Sequence, residues 1–261
     1  MPDSQVRFIS LLISLFLSLS LLLYVFKSQE KIDLLRMLGA DVRPVPTVPY
    51  ENPKNYNHQA REYADKIDNV IWTNQFDNVA NTQAHYSSTG PEIWEQTRGD
   101  IDGFVCATGT GGTLAGVGKY LQEQSQARTQ IWLADPPGSV LASYITSGGK
   151  LAERSGGSIT EGTFWCSWPL EIYRKPAVVY LGIGQGRVTD NLGTFINNLS
   201  GAFTVPDAKS IAMVYDLLDT EGLYLGASSA LNVVAAVEVA RRLGKGTENI
   251  FMNMGKRPTL D

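Results

Sequence analysis

Between Gly103 and Leu121 the chain reads GFVCATGTGGTLAGVGKYL, and the glycines and threonines of Gly109–Thr113 are suited to one kind of chemistry, the capture of an anion. Backbone amides of closely spaced glycines can converge on an oxyanion because no Cβ blocks the approach, and a helix starting there adds the positive end of its dipole. The hydroxyls of Thr110 and Thr113 would add donors. The apolar run before the loop reads as a buried strand and the pattern after it as a helix. That places the loop at the carboxyl end of a strand, where open α/β sheets hold ligands. The same residues would also serve as a tight strand-to-helix turn with no ligand. Two nucleotide motifs fail on spacing: a dinucleotide fingerprint starting at Gly109 needs glycine where Leu114 stands, and a P-loop needs Ser or Thr where Tyr120 follows Gly118-Lys119.

Other reactive residue types carry weaker signals. Cys106 lies on the apolar strand entering the loop and reads as core rather than as a catalytic thiol. His58 and His85 read as exposed helix residues. Ser228 and Ser229 open a helix, either as caps or as part of a pocket wall. Lys54, Arg61 and Lys66 with Glu62 and Asp65 form a solvated helix face. Two histidines and two cysteines, with no Cys-x-x-Cys, argue against a structural zinc site, and two cysteines build no disulfide framework. A net charge of -4 without a basic run argues against a nucleic-acid surface. Apolar content of 43% over 261 residues is enough for a real core.

The elements that must position the loop alternate along the chain. SQEKIDLLRMLG is a helix with Ser28 as N-cap and Gly39 closing it, ADVRPVP a strand, NYNHQAREYADKI a helix and NVIWTNQF a strand. SSTGPEIWEQT is a helix start, DGFVCA a strand, TLAGVGKYLQEQ a helix and TQIWLADP a strand. VPDAKSIAMVYDLLDTEG is a helix capped by Asp207, with Ile211, Val214, Tyr215 and Leu218 on one face. ASSALNVVAAVEVARRLGKG is a helix stopped at Gly244. This order predicts an α/β fold, a parallel twisted sheet covered by helices on both faces. Phe8 to Phe26 carries no charge over nineteen residues, long enough to cross a bilayer as a helix. It reads as a membrane anchor, as a buried helix or as sequence outside the folded protein.

Gly109–Thr113, preceded by Gln75-Phe76 and Thr89-Gly90-Pro91-Glu92-Ile93-Trp94, resembles the cysteine synthase family, pyridoxal-phosphate enzymes that share a fold with the tryptophan synthase β chain and cystathionine β-synthase. The resemblance continues through SQEKIDLLRMLGADV, Thr160-Glu161-Gly162, Ile183-Gly184-Gln185-Gly186, Glu221-Gly222-Leu223 and Gly226-Ala227-Ser228-Ser229-Ala230, and it covers most of residues 28 to 248. It implies that Gly109, Thr110, Gly111, Gly112 and Thr113 bind the phosphate of pyridoxal 5'-phosphate. It also implies that Gln75 lies near the substrate carboxylate, and that Gly162, Ile183 and Gly184 border the substrate pocket. The implied activity is β-replacement, in which sulfide converts O-acetylserine or a similar serine derivative to cysteine. Desulfhydrase and cystathionine β-synthase chemistry are the variants within the family. The implied partners are a small amino-acid substrate and a second copy of the chain, with no nucleic acid. Three segments follow from it: 1–27 hydrophobic, 28–80 the remnant of a smaller α/β domain, and 81–261 the larger phosphate-binding domain.

The resemblance also marks departures. The family's Schiff-base lysine belongs upstream of SQEKID, which implies no catalytic residue in this chain and a truncated version of the fold; a non-catalytic, membrane-anchored or fragmentary protein is the competing reading. Joining Pro2–Gln5 to Ser28–Glu30 restores the family's course, as does joining Gly162 to Ile183. Val6 to Lys27 and Thr163 to Gly182 are thereby extra, and their codons allow the GT and AG ends of translated introns. Read as protein, the first makes a single-pass anchor through 8–26 and the second a surface insertion at 163–182. Without the anchor the protein would be cytoplasmic or mitochondrial.

Overall fold

The computed structural model describes residues 20–24, 29–45, 48–152, 158–159, 183–244 and 249–251. The chain divides between Asn74 and Gln75 into a smaller and a larger unit. In the smaller unit, β1 (Ser20–Tyr24) and β2 (Asp41–Val45) pair in parallel, Ser20 opposite Asp41 and Tyr24 opposite Val45. The crossover between them carries α1 (Gln29–Met37), and Gly39 turns the chain out of that helix at φ 89°. The next helix, α2 (Tyr56–Asp65), is capped by Asn55, whose side chain accepts from the Asn57 N–H at 3.0 Å.

Two expectations are corrected here. Ser20–Tyr24 was expected within a hydrophobic helix and is a strand. An unbroken leucine run has no period to separate helix from strand, and pairing with Asp41–Val45 supplies the backbone partners that decide it. The rest of 8–26 lies outside the described residues, as do Ser28, Gly162 and the segment 163–182. Among the described residues no helix is long and apolar enough to cross a membrane. The second correction concerns 69–76, expected as a strand. It pairs with no strand among the described residues; Asn69 and Asn74 take φ of 63° and 44°, outside the extended region a ladder needs, and Ile71 is 83% exposed.

The larger unit holds a four-stranded, all-parallel sheet in the order β5 (Gly201–Thr204), β4 (Gln130–Asp135), β3 (Gly103–Ala107), β6 (Asn249–Phe251). Every residue of β3 is buried. Its two-residue side-chain period sorts them into two cores. Phe104 and Cys106, with Ile131 and Leu133 of β4, pack against Leu114, Val117 and Leu121 of α5 (Gly112–Gln124). Val105 and Ala107, with Trp132 and Ala134, pack against Leu231, Ala235 and Val239 of α9 (Ala227–Leu243). The sheet is thus covered on both faces. Helices α3 (Ala80–Ser87) and α4 (Thr89–Gln96) follow each other directly, the second with Pro91 in its first turn. The short helix α6 (Leu141–Thr146) packs against β4 and β5, and α7 (Asp190–Gly193) against α5.

Helix α8 (Asp207–Glu221) differs from the reading of its sequence. Pro206 occupies the N-cap, and the Asp207 carboxylate instead accepts from the Ser158 hydroxyl and, at 3.1 Å, the Ile159 N–H. Ile211, Tyr215 and Leu218 are exposed, because α8 meets α9 with its other side. Leu133 is fully enclosed between β3 and α5. Leu133→Ala should cost about 2–5 kcal/mol of stability, read as a lower urea midpoint with an unchanged slope.

Candidate functional site

The glycine loop runs from the end of β3 into α5. At its entry, the Ala107 N–H donates to Asn232 Oδ1 at 2.7 Å, and Asn232 Nδ2 donates to the Ser228 carbonyl at 2.9 Å, so α9 is tied to the end of the strand. The Thr108 carbonyl accepts from the Gly184 N–H at 2.8 Å. Gly111 lies at φ 83°, and a Cβ there would stand 2.5 Å from Cβ of Leu192; a Cβ on Gly112 would collide with Oδ1 of Asn81. Both positions therefore need glycine for space, and Gly111 also for its dihedral.

What this close approach leaves open is a set of donors. The Gly112 N–H bonds to Thr110 Oγ1 at 3.3 Å, while the N–H groups of Gly109, Thr110, Gly111 and Thr113 have no acceptor among the described residues. They stand at the amino end of a thirteen-residue helix, where unpaired amides and the helix dipole favour negative charge. A phosphate group fits this donor set: it offers several acceptor oxygens and needs no protein carboxylate or metal. The Thr110 and Thr113 side chains are already engaged, whereas the buried Thr108 Oγ1 has no hydrogen-bond partner among the described residues. Thr110 Oγ1 accepts from Asn81 Nδ2 at 3.0 Å, and the Thr110 carbonyl accepts from Thr189 Oγ1 at 2.6 Å.

Thr113 Oγ1 lies 3.1 Å from His85 Nε2, and His85 Nδ1 lies 2.9 Å from Thr89 Oγ1. His85 was expected to be exposed; it is half-buried between two threonines, because α3 packs along α5, and burial holds its pKa below the ordinary imidazole value. Cys106 is core as expected, and burial pushes its thiol up to about 12.

The structure brings Gln75, Ile183 and Gly184 to the same end of the sheet. Gln75 contributes its carbonyl, which accepts from Asn81 Nδ2 at 2.9 Å and Asn191 Nδ2 at 3.1 Å; its side chain is exposed. Ile183 is buried in the α9-side core. Several supporting residues carried no signal in the sequence. Asn191, fully buried, donates to the carbonyls of Gln75 and Phe76 and accepts from Thr82. Arg187 makes a two-pronged contact with Asp77, at 2.8 and 2.7 Å. Each is an ordinary polar residue whose partner lies about a hundred positions away, so no local pattern announces it. The nearest signal was the pair of flanking motifs, Gln75-Phe76 and Ile183-Gly184.

These features define a class. The sequence profile of the family described as pyridoxal-phosphate dependent enzyme matches residues 19–254, and the chain belongs to that family, whose cofactor is pyridoxal 5'-phosphate. It is 59% identical over 226 residues to cysteine synthase 1 of Neurospora crassa, covering 87% of this chain and 55% of that protein. It is also 59% identical over 221 residues to cysteine synthase 1 of Emericella nidulans, covering 85% and 54%. A solved structure, the O-acetylserine dependent cystathionine beta-synthase of Helicobacter pylori, superposes with a TM-score of 0.69 at 28% identity, covering 89% of this chain and 65% of that one. The α/β fold is that of this enzyme family. The chain spans about half the length of the curated relatives it matches.

Two measurements follow. Cys106 should resist a thiol reagent at mildly alkaline pH in the folded protein and react at once in denaturant. The hydrogen bonds from Arg187 hold the Asp77 carboxyl below the usual carboxylate range. Its contribution to stability is therefore complete above the unfolded aspartate value of about 3.9 and disappears as pH falls through the lower folded value. Thermal melts of the wild type and Asp77→Asn should differ near neutral pH and converge in strong acid.

Proposed function

We propose that Gly109, Thr110, Gly111, Gly112 and Thr113 hold the phosphate of pyridoxal 5'-phosphate in an enzyme of the cysteine synthase type. The observation that carries this reading is the row of amides with no acceptor among the described residues where the loop enters α5, pressed between Leu192 and Asn81. The full protein would carry out β-replacement, taking O-acetylserine or a similar β-substituted serine and sulfide to cysteine. When bound, the cofactor supplies an electron sink for the substrate's α-carbon. The residues of this chain bind and orient. The amides of 109–113 fix the phosphate end, and the Thr113–His85–Thr89 chain orients the Thr113 hydroxyl beside it. Ile183 and Gly184 border the amino-acid pocket in this reading, and Gln75 lies toward the substrate carboxylate. The relatives named cysteine synthase support this substrate class. A homodimer accompanies the reading.

The test is titration of the purified chain with inorganic phosphate and with pyridoxal 5'-phosphate, followed by phosphorus NMR. Wild type should bind both. Gly112→Val, which drives a side chain into Asn81, should weaken both by about a hundredfold or more, the scale of losing two or more charge-assisted hydrogen bonds. Wild type that leaves both signals unshifted, or a Gly112→Val protein that binds as tightly as wild type, would sink the reading.

A further inference from the structure

The segment 183–193 reaches the phosphate loop without a ladder of its own, since its only regular element is the four-residue α7. Its course is set by individual contacts. Gly184 donates to the Thr108 carbonyl, Thr189 to the Thr110 carbonyl, and Leu192 backs Gly111. On its other side the segment is fastened to the stretch before α3 by Asn191 and by Arg187. The Arg187 guanidinium grips both oxygens of Asp77, and Asp77 Oδ1 also accepts the Asp190 N–H at 3.1 Å. The side chains of this pair are 23% and 16% exposed, whereas the pairs Arg61–Asp65, Lys66–Glu62 and Arg242–Glu238 are between 42% and 69% exposed. Exposed pairs of that kind contribute little. A planar, two-pronged, mostly enclosed contact fixes geometry as well as energy.

We propose that Asp77–Arg187 is a positioning clamp that couples the phosphate loop to the segment carrying Ile183 and Gly184, so that one ionic contact sets both the anion cradle and the border of the amino-acid pocket. The inference rests on the phosphate reading given above. Arg187 acts through Asp77, which also holds the Asp190 N–H, and from there through Thr189 to the Thr110 carbonyl. Without it, Thr189 and Leu192 keep only the Asn191 anchor against residues 110 and 111, and the loop amides are held less firmly in a common direction. Binding a tetrahedral anion then includes the cost of re-ordering the loop.

The experiment is a double-mutant cycle on the full chain, with inorganic phosphate and pyridoxal 5'-phosphate as probes and calorimetric titration as the readout. Asp77→Asn and Arg187→Lys should each weaken both probes by about ten-fold; the lysine variant keeps the charge and guards against misfolding. The exchanged pair, Asp77→Arg with Arg187→Asp, should recover most of the loss. Val239→Ala, in the α9-side core and remote from the clamp, lowers stability and should leave both affinities unchanged. If wild type binds neither probe, the phosphate reading fails and the clamp with it. If wild type binds and the single variants bind equally well, only the clamp fails. It also fails if the exchanged pair is no better than the singles, or if Val239→Ala weakens the probes as much as they do.

Discussion

The organisation of the larger unit depends on a helix that begins with donors it cannot use itself. Four amides in the loop leading into α5 have no acceptor among the described residues, and a folded protein keeps such groups away from bulk packing only if something else holds the loop in shape. Here that is steric. Leu192 and Asn81 approach so closely that no side chain fits at 111 or 112. The backbone is thereby fixed in place. The two-faced packing of β3 serves the same end, because a strand gripped by α5 on one side and α9 on the other cannot shift the loop that leaves it.

Family membership and the fold agree with this picture, and so does the placement of the supporting residues. Relatives named cysteine synthase share more than half of their aligned residues with this chain. The conformationally demanding parts of the site, the glycines and the segment 183–193, fall within the matched region. Asn81, Asn191 and Thr189 are each bonded to a main-chain atom of 75, 76 or 110. They shape the site by holding backbone, which explains why they need only be short polar residues of the right reach.

Much of this was legible beforehand. The loop, its strand and its helix could be read from glycine spacing and apolar periodicity, because each is governed by neighbours within a dozen residues. Gly39, Gly244 and Pro91 marked helix ends for the same local reason. What could not be read depended on distant partners. Ser20–Tyr24 became a strand because Asp41–Val45 lay beside it, and 69–76 finds no such neighbour among the described residues. His85 looked like a surface residue until α5 placed Thr113 against it. The apolar face of α8 was correctly aligned on one side, but periodicity reveals that a face exists and not whether anything covers it.

One side chain has a wider effect than its size suggests. Among the described residues β6 pairs with β3 as far as Val105, and Asn232 supplies the acceptor for Ala107 two residues further along. A helix thus completes a bond that a strand would ordinarily make. Because that amide also grips the first turn of its own helix, sheet rim and helix start share a single latch. On heating, the two should release together rather than fray separately.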